Sequence, residues 1–336
     1  MSEPVPVPEK LPSSDEDAAD LTYFAFAKPA DAFRDVMSFQ ARVIELQDVL
    51  VGRYRIERLL GAGGMGVVYR ARDLLHEQFG DRETYVALKM LGEELANSQD
   101  AGALLYSEFA LTRRLRHPNV VRLHTFEVDT RCRQAFITME LMSGLTLDKV
   151  LCDQPLGLPW PALRDVALPL LDALVHAHSR GVLHGDLKPS NVMCGEEGVR
   201  LFDFGLGQAE ECIMPGLPKL SRRRFNAWTP GYAAPELLEG QPLTAAADIY
   251  AVGCVLYELA CGKHPFRRWL STRARDEQMD RELRAPRHLP KHCWPALRAA
   301  LSFDEAQRTI TAQELYDAIN TQPSWLRRWL ALNQAR

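Results

Sequence analysis

The sequence predicts an α+β protein with two lobes, a small β-rich lobe with one main helix and a larger helical lobe. Strand-like patterns around a single helical pattern fill residues 54–140, and long apolar helical patterns dominate after Gly144. The chain has 336 residues, which is enough for one large two-lobed domain with a tail at each end.

The composition is that of a globular protein. Hydrophobic residues make up 46% and charged residues 25%, and the net charge of −4 lacks the basic excess that favours nucleic acid as a partner. Seven cysteines without a CxxC pair indicate reduced thiols, not a disulfide framework or a zinc site. We find neither a signal-peptide pattern nor a run of about 18 apolar residues, and therefore expect a cytoplasmic protein without a transmembrane segment.

Two tails flank the predicted domain. Residues 1–53 form an N-terminal extension, and its first 20 or so residues are rich in Pro, Ser and acidic side chains, which predicts disorder. The aromatic-rich stretch 21–46 is either a short helix or docking segment, or a linker that packs on the domain. Residues 321–336 form an amphipathic C-terminal tail that packs on the large lobe, binds a partner or touches a membrane, with packing as the default. We expect a regulatory partner to bind through one of these tails.

The small lobe is predicted as antiparallel strands around a glycine cluster, with one helix. Most of its apolar residues cluster in short strand-like runs, and one segment has helical spacing. The predicted strands are YRIERLL, GVVYRAR, TYVALKML, NVVRLHTFEV and QAFITMELM, and the predicted helix is DAGALLYSEFALTRRLRH. The polar stretch DLLHEQFGDRET is predicted to be an enlarged hairpin loop.

Two helices dominate the predicted large lobe. WPALRDVALPLLDALVHAHSRG has one apolar face, and AAADIYAVGCVLYELACG is apolar nearly all round, which predicts that it is buried. His176 and His178, at the end of the first helix, are expected to be structural rather than metal ligands.

A glycine cluster lies between the first two predicted strands. In LGAGGMGVV, Gly61, Gly63 and Gly66 have the GxGxxG spacing, and the absence of side chains lets backbone N–H groups approach phosphate oxygens. A dinucleotide-binding loop has the same spacing but continues into a helix, whereas GVVYRARD continues as a strand. The cluster therefore favours a hairpin that covers phosphates, with ordinary structural turns as the alternative.

Lys89 ends the apolar strand YVALK, where its ammonium group could reach the α and β phosphates of a nucleotide. Ala87 on the same strand leaves room for a flat adenine ring. A lysine in a cleft needs an acidic partner, and we expect this to be Glu108 on the following helix rather than Glu93 or Glu94. A lysine with a buried stem on an edge strand is the structural alternative.

Three polar residues after the first long helix form a third constellation. Asp186 in HGDLKPSN lies in a predicted loop, where a carboxylate can orient an attacking hydroxyl and accept its proton. Asn191 offers an amide oxygen to a hard cation, and Asp203 in RLFDFGLG offers a second oxygen before Gly205, where the chain can turn. Each could be a turn former, but their joint order after a glycine loop and a strand lysine favours phosphoryl transfer.

With these motifs in order, the chain resembles the eukaryotic-type Ser/Thr protein kinases, and GAGGMGVVYRARD looks most like their bacterial members. The resemblance covers residues 54–320 and implies the protein-kinase fold, with N-lobe 54–140, hinge 140–144 and C-lobe 145–320. It implies ATP and Mg²⁺ as cofactors, with Mn²⁺ as an alternative, and protein substrates with Ser or Thr acceptors.

The resemblance also implies roles for the residues near the phosphates. Asp186 would be the catalytic base, and Lys188 would neutralise the transferring phosphoryl group. Thr229 in WTPGYAAPE would hydrogen-bond near both of them. Lys89 would pair with Glu108 and the phosphates, and Asn191 and Asp203 would hold the metal ion. The implied adenine site consists of the gatekeeper Met139, the backbone of Glu140 and Met142, and the apolar residues Val68, Ala87 and Met193.

Gly185 is a departure from the family, because many members have Arg at this position. Small-molecule kinases of the aminoglycoside or choline type also favour HGD. However, LKPSN and the segment Thr229–Glu236 resemble protein kinases, in which such a segment receives the substrate peptide. We also expect a buried pair between Glu236 and Arg308, and a buried Asp248 that braces the catalytic loop. A pseudokinase scaffold is disfavoured, since the residues that phosphoryl transfer needs are present.

The missing arginine affects regulation. Without it, a phosphate on the activation segment would lose its main internal partner, so we predict that phosphorylation there is not obligatory. Ser221 is the single hydroxyl between Asp203 and Thr229. The adjacent arginines 222–224 could pair with a phosphate, attract an acidic substrate or form a solvated basic loop.

Overall fold

The computed structural model describes residues 24–25, 49–63, 66–92, 101–132, 134–204, 208–209 and 228–321. Within these ranges the chain forms a β-rich lobe followed by a helical lobe, as the sequence predicts. The strands are β1 Phe24–Ala25, β2 Val49–Leu50, β3 Tyr54–Gly63, β4 Gly66–Asp73, β5 Tyr85–Met90, β6 Leu123–Asp129, β7 Gln134–Glu140, β8 Leu145–Thr146, β9 Val182–Leu183, β10 Val192–Gly195, β11 Gly198–Leu201 and β12 Gln208–Ala209.

The helices divide unevenly between the lobes. Of the helices in the described ranges, two belong to the small lobe, and the rest follow β8. They are α1 Leu74–Gln78, α2 Ala101–Thr112, α3 Leu147–Asp153, α4 Trp160–Ser179, α5 Pro235–Leu238, α6 Ala245–Cys261, α7 Ser271–Asp276, α8 Trp294–Ala300 and α9 Ala312–Asn320, with 3₁₀ turns at Pro189–Asn191, Met279–Glu282 and Glu305–Gln307.

The small-lobe sheet has the strand order β1-β3-β4-β5-β7-β6, and β2 also pairs with β3. Strands β3 to β7 pair in antiparallel fashion, as predicted, and β1 is parallel to β3. Within the aromatic-rich N-terminal stretch, the described residues are the strand β1 and not a helix. Strand β2 lies before residue 54, where we expected the domain to begin.

The predicted enlarged loop between β4 and β5 contains the five-residue helix α1, so this part of the prediction is wrong. Asp73 begins the helix as its N-cap, and its carboxylate accepts hydrogen bonds from the N–H groups of Leu75 and His76. A capping aspartate satisfies donors that would otherwise lack partners at a helix start. This contact stabilises a helix in a sequence that otherwise looks like a turn.

The sheet curls so that the start of β3 meets β6 and β7. The Tyr54 hydroxyl donates to Glu127 Oε1 at 3.2 Å, and its ring packs edge-on against Phe136. The Val51 N–H donates to Asp129 Oδ2 at 2.7 Å. Helix α2 packs on the same two strands, β6 and β7, and so carries Glu108 towards the sheet.

The core of the large lobe forms around α4 and α6. The predicted burial of α6 is confirmed, since nearly every residue from Ala247 to Ala260 is buried. The helix begins at the N-cap Thr244, whose hydroxyl accepts from the Ala247 N–H, and ends at Gly262 with a left-handed φ of 70°. A buried helix can hold a charged side chain in a fixed place, and Asp248 on α6 does so beneath the loop that follows β9.

No helix in the described ranges combines the length and the apolar character needed to cross a bilayer.

Candidate active site

A buried ion cluster links the two lobes. Lys89 Nζ on β5 lies 2.7 Å from both carboxylate oxygens of Glu108 on α2, and 2.8 Å from Asp203 Oδ1 after β11. The predicted choice of Glu108 as the lysine's partner therefore agrees with the structure. Residues separated by more than 100 positions in the chain meet here, so a single ammonium group connects the sheet, the helix and the large lobe.

The pKa shifts in this cluster follow from one cation between two anions. Burial alone would lower the pKa of Lys89, but the Asp203 and Glu108 carboxylates raise it well above its usual value, so the amine stays charged. Burial and the Asp203 charge raise the pKa of Glu108. Burial opposes ionisation of Asp203 as well, but Lys89 and Lys188 lower its pKa overall. The lowered pKa favours the ionised form of Asp203, which is the form in which a carboxylate binds a cation.

A second polar cluster forms around Asp186. Lys188 Nζ lies 2.6 Å from Asp186 Oδ2 and 2.8 Å from the Thr229 hydroxyl oxygen. The Thr229 N–H donates to Asp186 Oδ1 at 3.2 Å. The structure thus brings together the three residues that the sequence predicted to be neighbours, and it joins the catalytic loop to the segment that begins at Thr229.

The loop that carries Asp186 is held from below by Asp248. Its two carboxylate oxygens accept the backbone N–H groups of His184 and Gly185, each at 2.8 Å, and His178 Nε2 lies 3.0 Å away. The predicted brace is present, and His178 is structural as expected. Gly185 has a left-handed φ of 81°, which glycine adopts without the strain of a side chain.

His184 is a positioning residue that the sequence analysis did not assign. Its ring is fully buried, its Nδ1 accepts the Asp186 N–H at 3.2 Å, and its Nε2 lies 3.1 Å from the Phe202 carbonyl. Because Nδ1 accepts, the proton lies on Nε2 and is donated to Phe202. Burial lowers the pKa of His184, which keeps the ring neutral. The pattern HxD in a loop was the signal that could have identified it.

Asn191 has the geometry of a cation ligand. Its Nδ2 donates to the Asp186 carbonyl at 2.8 Å, which fixes the orientation of the amide. Its Oδ1 is buried and has no hydrogen-bond partner among the residues that the structure describes. A buried oxygen without a donor is costly unless it binds something else, and hard cations such as Mg²⁺ prefer oxygen ligands. The amide oxygen of Asn191 and the ionised Asp203 therefore form a donor set that fits Mg²⁺.

The backbone after β11 turns left-handed already at Asp203. The predicted turn at Gly205 lies outside the described ranges and stays a prediction. Asp203 itself has a left-handed φ of 67°. Such a conformation costs a residue with a side chain about 1–2 kcal/mol, and strained residues of this kind concentrate at functional sites. In this conformation the Asp203 carboxylate contacts Lys89 Nζ at 2.8 Å.

The predicted adenine site is an apolar cluster that spans both lobes. It contains Val68 and Ala87 from the sheet, Met139 and Met142 at the hinge, and Met193 on β10, all buried. Glu140 ends β7, and its N–H is used by a hydrogen bond to the Arg122 carbonyl at 3.0 Å. The structure therefore brings together the residues assigned to the adenine ring. Because the Glu140 N–H is already bonded, the Glu140 carbonyl is the backbone group of this residue that we assign as a hydrogen-bond partner of adenine.

The predicted phosphate loop is a β-hairpin, because Gly61 and Gly63 end β3 and Gly66 begins β4. A Cβ on Gly66 would lie 2.3 Å from the Met90 carbonyl oxygen. Only glycine lets β4 approach the end of β5 so closely, and Lys89 is next to that point. The start of β4 in the hairpin therefore packs directly against the end of β5, which carries Lys89.

The segment after Thr229 is anchored to the large lobe. Arg308 Nη1 lies 2.6 Å from Glu236 Oε1, and both side chains are almost fully buried, as the sequence predicted. The same guanidinium donates to the carbonyls of Ser302 and Ala246. This anchor fixes the segment at the end opposite to its contact with Asp186.

These features agree with the comparison to known families, because residues 54–318 match the family described as protein kinase domain. The chain belongs to the protein kinase family. The predictions of a eukaryotic-type Ser/Thr protein kinase and of the bilobal kinase fold are thereby confirmed. Its similarity to bacterial members is reflected in named relatives.

Serine/threonine-protein kinase PkaA of Streptomyces coelicolor is 34% identical to this kinase-family chain over 261 residues, which are 74% of the chain and 46% of PkaA. DNA damage-responsive serine/threonine-protein kinase RqkA of Deinococcus radiodurans is 37% identical over 222 residues, 65% of the chain and 31% of RqkA. The crystal structure of the Mycobacterium tuberculosis PknI kinase domain has a TM-score of 0.59 at 26% identity, covering 81% of this chain and 96% of that domain. The chain spans about half or less of the curated relatives it matches.

Proposed function

We propose that the chain is an ATP- and Mg²⁺-dependent Ser/Thr protein kinase that transfers the γ-phosphoryl group of ATP to hydroxyls of protein substrates, and that its catalytic domain comprises residues 54–320. The observation that carries this proposal is the Asp186 carboxylate held between Lys188 Nζ and the Thr229 N–H, at 2.6 and 3.2 Å. It lies beside the segment that resembles the peptide-receiving segment of the family. An acceptor hydroxyl bound to that segment can therefore reach the base.

Each residue of the cluster has a distinct task in this proposal. Asp186 orients the acceptor hydroxyl and takes its proton, a role that contributes about 10²–10⁴-fold to a rate. Lys188 stabilises the negative charge of the transferring group, and Thr229 keeps Lys188 in place. Lys89, held by Glu108, binds the α and β phosphates. The protein thus contributes mainly positioning and electrostatic stabilisation.

Asn191 and Asp203 would hold the metal ion, with Mn²⁺ as an alternative to Mg²⁺. Support comes from Asn191 Oδ1, which has no partner in the described part of the chain, and from the pKa of Asp203, which Lys89 keeps low in spite of burial. When bound, the ion neutralises phosphate charge. The hinge backbone at Glu140 and Met142 and the apolar cluster around Ala87 would bind the adenine.

Regulation follows from Gly185. Because it has no side chain to clamp a phosphate on the activation segment, we infer that phosphorylation of that segment is not required for activity. Ser221 and arginines 222–224 lie outside the described residues.

We further propose that the protein acts in the cytoplasm without nucleic acid, which its charge and cysteine usage support, and that a regulator binds through residues 1–53 or 321–336.

The test is incorporation of radiolabelled phosphate from ATP, with Mg²⁺, by the chain alone and with a generic protein acceptor. Wild type and phosphatase-treated wild type should incorporate label at similar rates. Asp186→Asn and Lys89→Met should fall by about 10²-fold or more. Binding of a fluorescent ATP analogue by Asp186→Asn serves as the control that the nucleotide site is intact.

Other outcomes would support other functions. Equal incorporation by wild type and both variants would indicate a scaffold. Label on aminoglycosides or choline but not on protein would indicate a small-molecule kinase. If phosphatase treatment abolished activity, and activity returned in step with phosphate on Ser221, the inference about regulation would be wrong.

A further inference from the structure

The loop between α6 and α7 contains two consecutive arginines in a strained backbone. Arg267 and Arg268 have left-handed φ angles of 55° and 57°. A residue with a side chain is strained in this conformation, and two such residues in succession are unusual. Backbone strain persists only where the surroundings enforce it, and it concentrates at functional sites.

A buried histidine enforces this turn. Nδ1 of His264 accepts the N–H groups of Phe266 and Arg268 at 3.1 and 3.0 Å, and the Phe266 side chain is fully buried in the core. The Arg267 N–H donates to the His264 carbonyl. The two arginine side chains are therefore presented by a fixed turn and not by a free loop.

The turn lies against the segment that contacts Asp186. A Cβ on Gly231 would lie 3.3 Å from Arg268 Cα, and the Ser271 hydroxyl donates to the Ala233 carbonyl at 2.6 Å. Gly231 is two residues from Thr229, whose N–H contacts Asp186 Oδ1. A peptide that brings its hydroxyl to Asp186 along this segment therefore passes close to the arginines.

The acidic residue closest to the turn is already neutralised. The buried carboxylate of Glu258 accepts from Arg268 Nη2 at 2.8 Å and from the Tyr232 hydroxyl at 2.5 Å. The Glu258 side chain is 4% exposed, whereas that of Arg268 is 61% exposed. Both carboxylate oxygens are thus used internally and do not invite a basic side chain of a substrate.

Arg267 provides the free charge. Its side chain is exposed and has no hydrogen bond or ion pair with another residue in the described ranges. The nearby acids Glu239 and Asp276 both lie within 4 Å of Arg275. A guanidinium group binds a carboxylate in a bidentate geometry, so the ligand that complements this surface is an acidic side chain.

We propose that Arg267 and Arg268 select protein substrates that carry acidic side chains next to the acceptor hydroxyl. The inference rests on the proposed kinase function and adds its substrate class. Arg268 has two effects, because it offers positive charge and also blocks Glu258. Removing it should therefore change the sign of the preference, whereas removing Arg267 should only weaken it.

The experiment compares three peptides that share one Ser acceptor and differ only in its flanking residues, which are Glu, Gln or Lys. Wild type should have the highest kcat/KM for the Glu peptide. In Arg267→Gln the Glu to Gln ratio should fall about two- to fivefold, the range of an exposed ion pair. In Arg268→Gln the Lys peptide should gain relative to the Glu peptide.

Arg298→Gln, which removes an exposed arginine of α8, should leave the ratios unchanged. Raising the salt concentration should reduce the wild-type preference.

Similar kcat/KM values for the Glu and Lys peptides in wild type would overturn the inference, as would equal ratios in Arg267→Gln and Arg298→Gln. Thermal melts show whether each variant is folded.

If wild type phosphorylated none of the peptides, the proposed function would fail on peptides. The inference would then be decided separately by fluorescence anisotropy. In that case labelled peptides with Ala in place of the acceptor Ser should bind more tightly with Glu than with Lys, and equal binding would overturn it.

Discussion

At the scale of single residues, buried imidazoles hold the loops around the candidate site. His184 supports the N–H of Asp186, and His264 supports the arginine turn. Burial, together with the Arg268 charge, lowers the pKa of His264 to about 3, and burial also lowers the pKa of His184. Both rings accept hydrogen bonds in the neutral form, so a proton on either would break a contact that the fold needs.

These shifts predict a loss of stability in mild acid. The pKa of histidine in the unfolded chain is about 6.5. Between that value and the lower pKa of the folded state, only the unfolded chain binds the proton, so the stabilising effect is complete above pH 6.5 and declines as the pH falls towards 3. For His264 we expect a loss of about 2–3 kcal/mol in the free energy of unfolding between pH 7 and pH 4.5.

The measurement is urea unfolding at both pH values for wild type and His264→Asn. An asparagine oxygen can accept the same two N–H groups but does not titrate. The variant should therefore lose less stability on acidification than wild type by about that amount. If wild type and His264→Asn lost the same amount of stability between pH 7 and pH 4.5, His264 would not be the cause of the acid sensitivity.

At the scale of elements, the sequence was sufficient where periodic apolar patterns met clear turns. Strands β3, β4, β5 and β7 and the helices α4 and α6 lie where those patterns predicted them. Helix α1 was missed because five residues are too short for a periodic signal, and its N-cap contact with Asp73 decides the conformation. Strand β6 begins at Leu123 and not at Asn119, since residues 119–121 turn to bond Leu201.

The contact between β4 and β5 gives a prediction at this scale. In Gly66→Ala the new Cβ would lie 2.3 Å from the Met90 carbonyl, so one strand must move. We expect a loss of about 1–3 kcal/mol in stability and a higher KM for ATP, because Lys89 adjoins the displaced residue. Chemical denaturation and ATP titration of the rate measure the two effects.

Gly102→Ala is the matched control for this change. Gly102 lies in α2, and a Cβ there would meet no atom of the described residues within 4 Å. Alanine is favoured over glycine in helices by up to about 1 kcal/mol, so this variant should be as stable as wild type or more stable. Equal destabilisation by both substitutions would contradict the close approach of the strands as the cause.

At the scale of the whole molecule, buried ion pairs connect elements that the chain separates. Lys89 joins the lobes, and Arg308 joins the segment after Thr229 to the C-terminal part of the large lobe. Removing one partner of a buried pair leaves an uncompensated charge, which commonly costs 3–5 kcal/mol, whereas exposed pairs contribute about 0–1 kcal/mol. The burial of an ion pair therefore affects stability more than the distance between its nitrogen and oxygen atoms.

Arg308→Ala tests this contrast. It would leave buried Glu236 without its cation and remove one hydrogen bond from each of two carbonyls, so we expect a loss of about 3–5 kcal/mol in the free energy of unfolding. Arg275→Ala removes an exposed pair with Glu239 of similar length, 2.5 Å, and should cost about 1 kcal/mol or less. Denaturant unfolding of both variants provides the comparison. A similar cost for the two substitutions would refute the role assigned to the buried pair.

The two-lobed α+β architecture, the family and the identity of the residues that meet at Lys89 and Asp186 follow from the amino-acid sequence, because periodic patterns and ordered motifs can be recognised locally. Three features depend instead on contacts between distant segments. They are the Asn191 oxygen that lacks a partner in the described ranges, the left-handed backbone of Asp203, and the pairing of Glu258 with Arg268. No local pattern encodes which donor reaches which acceptor, because that is set by how the packed elements meet.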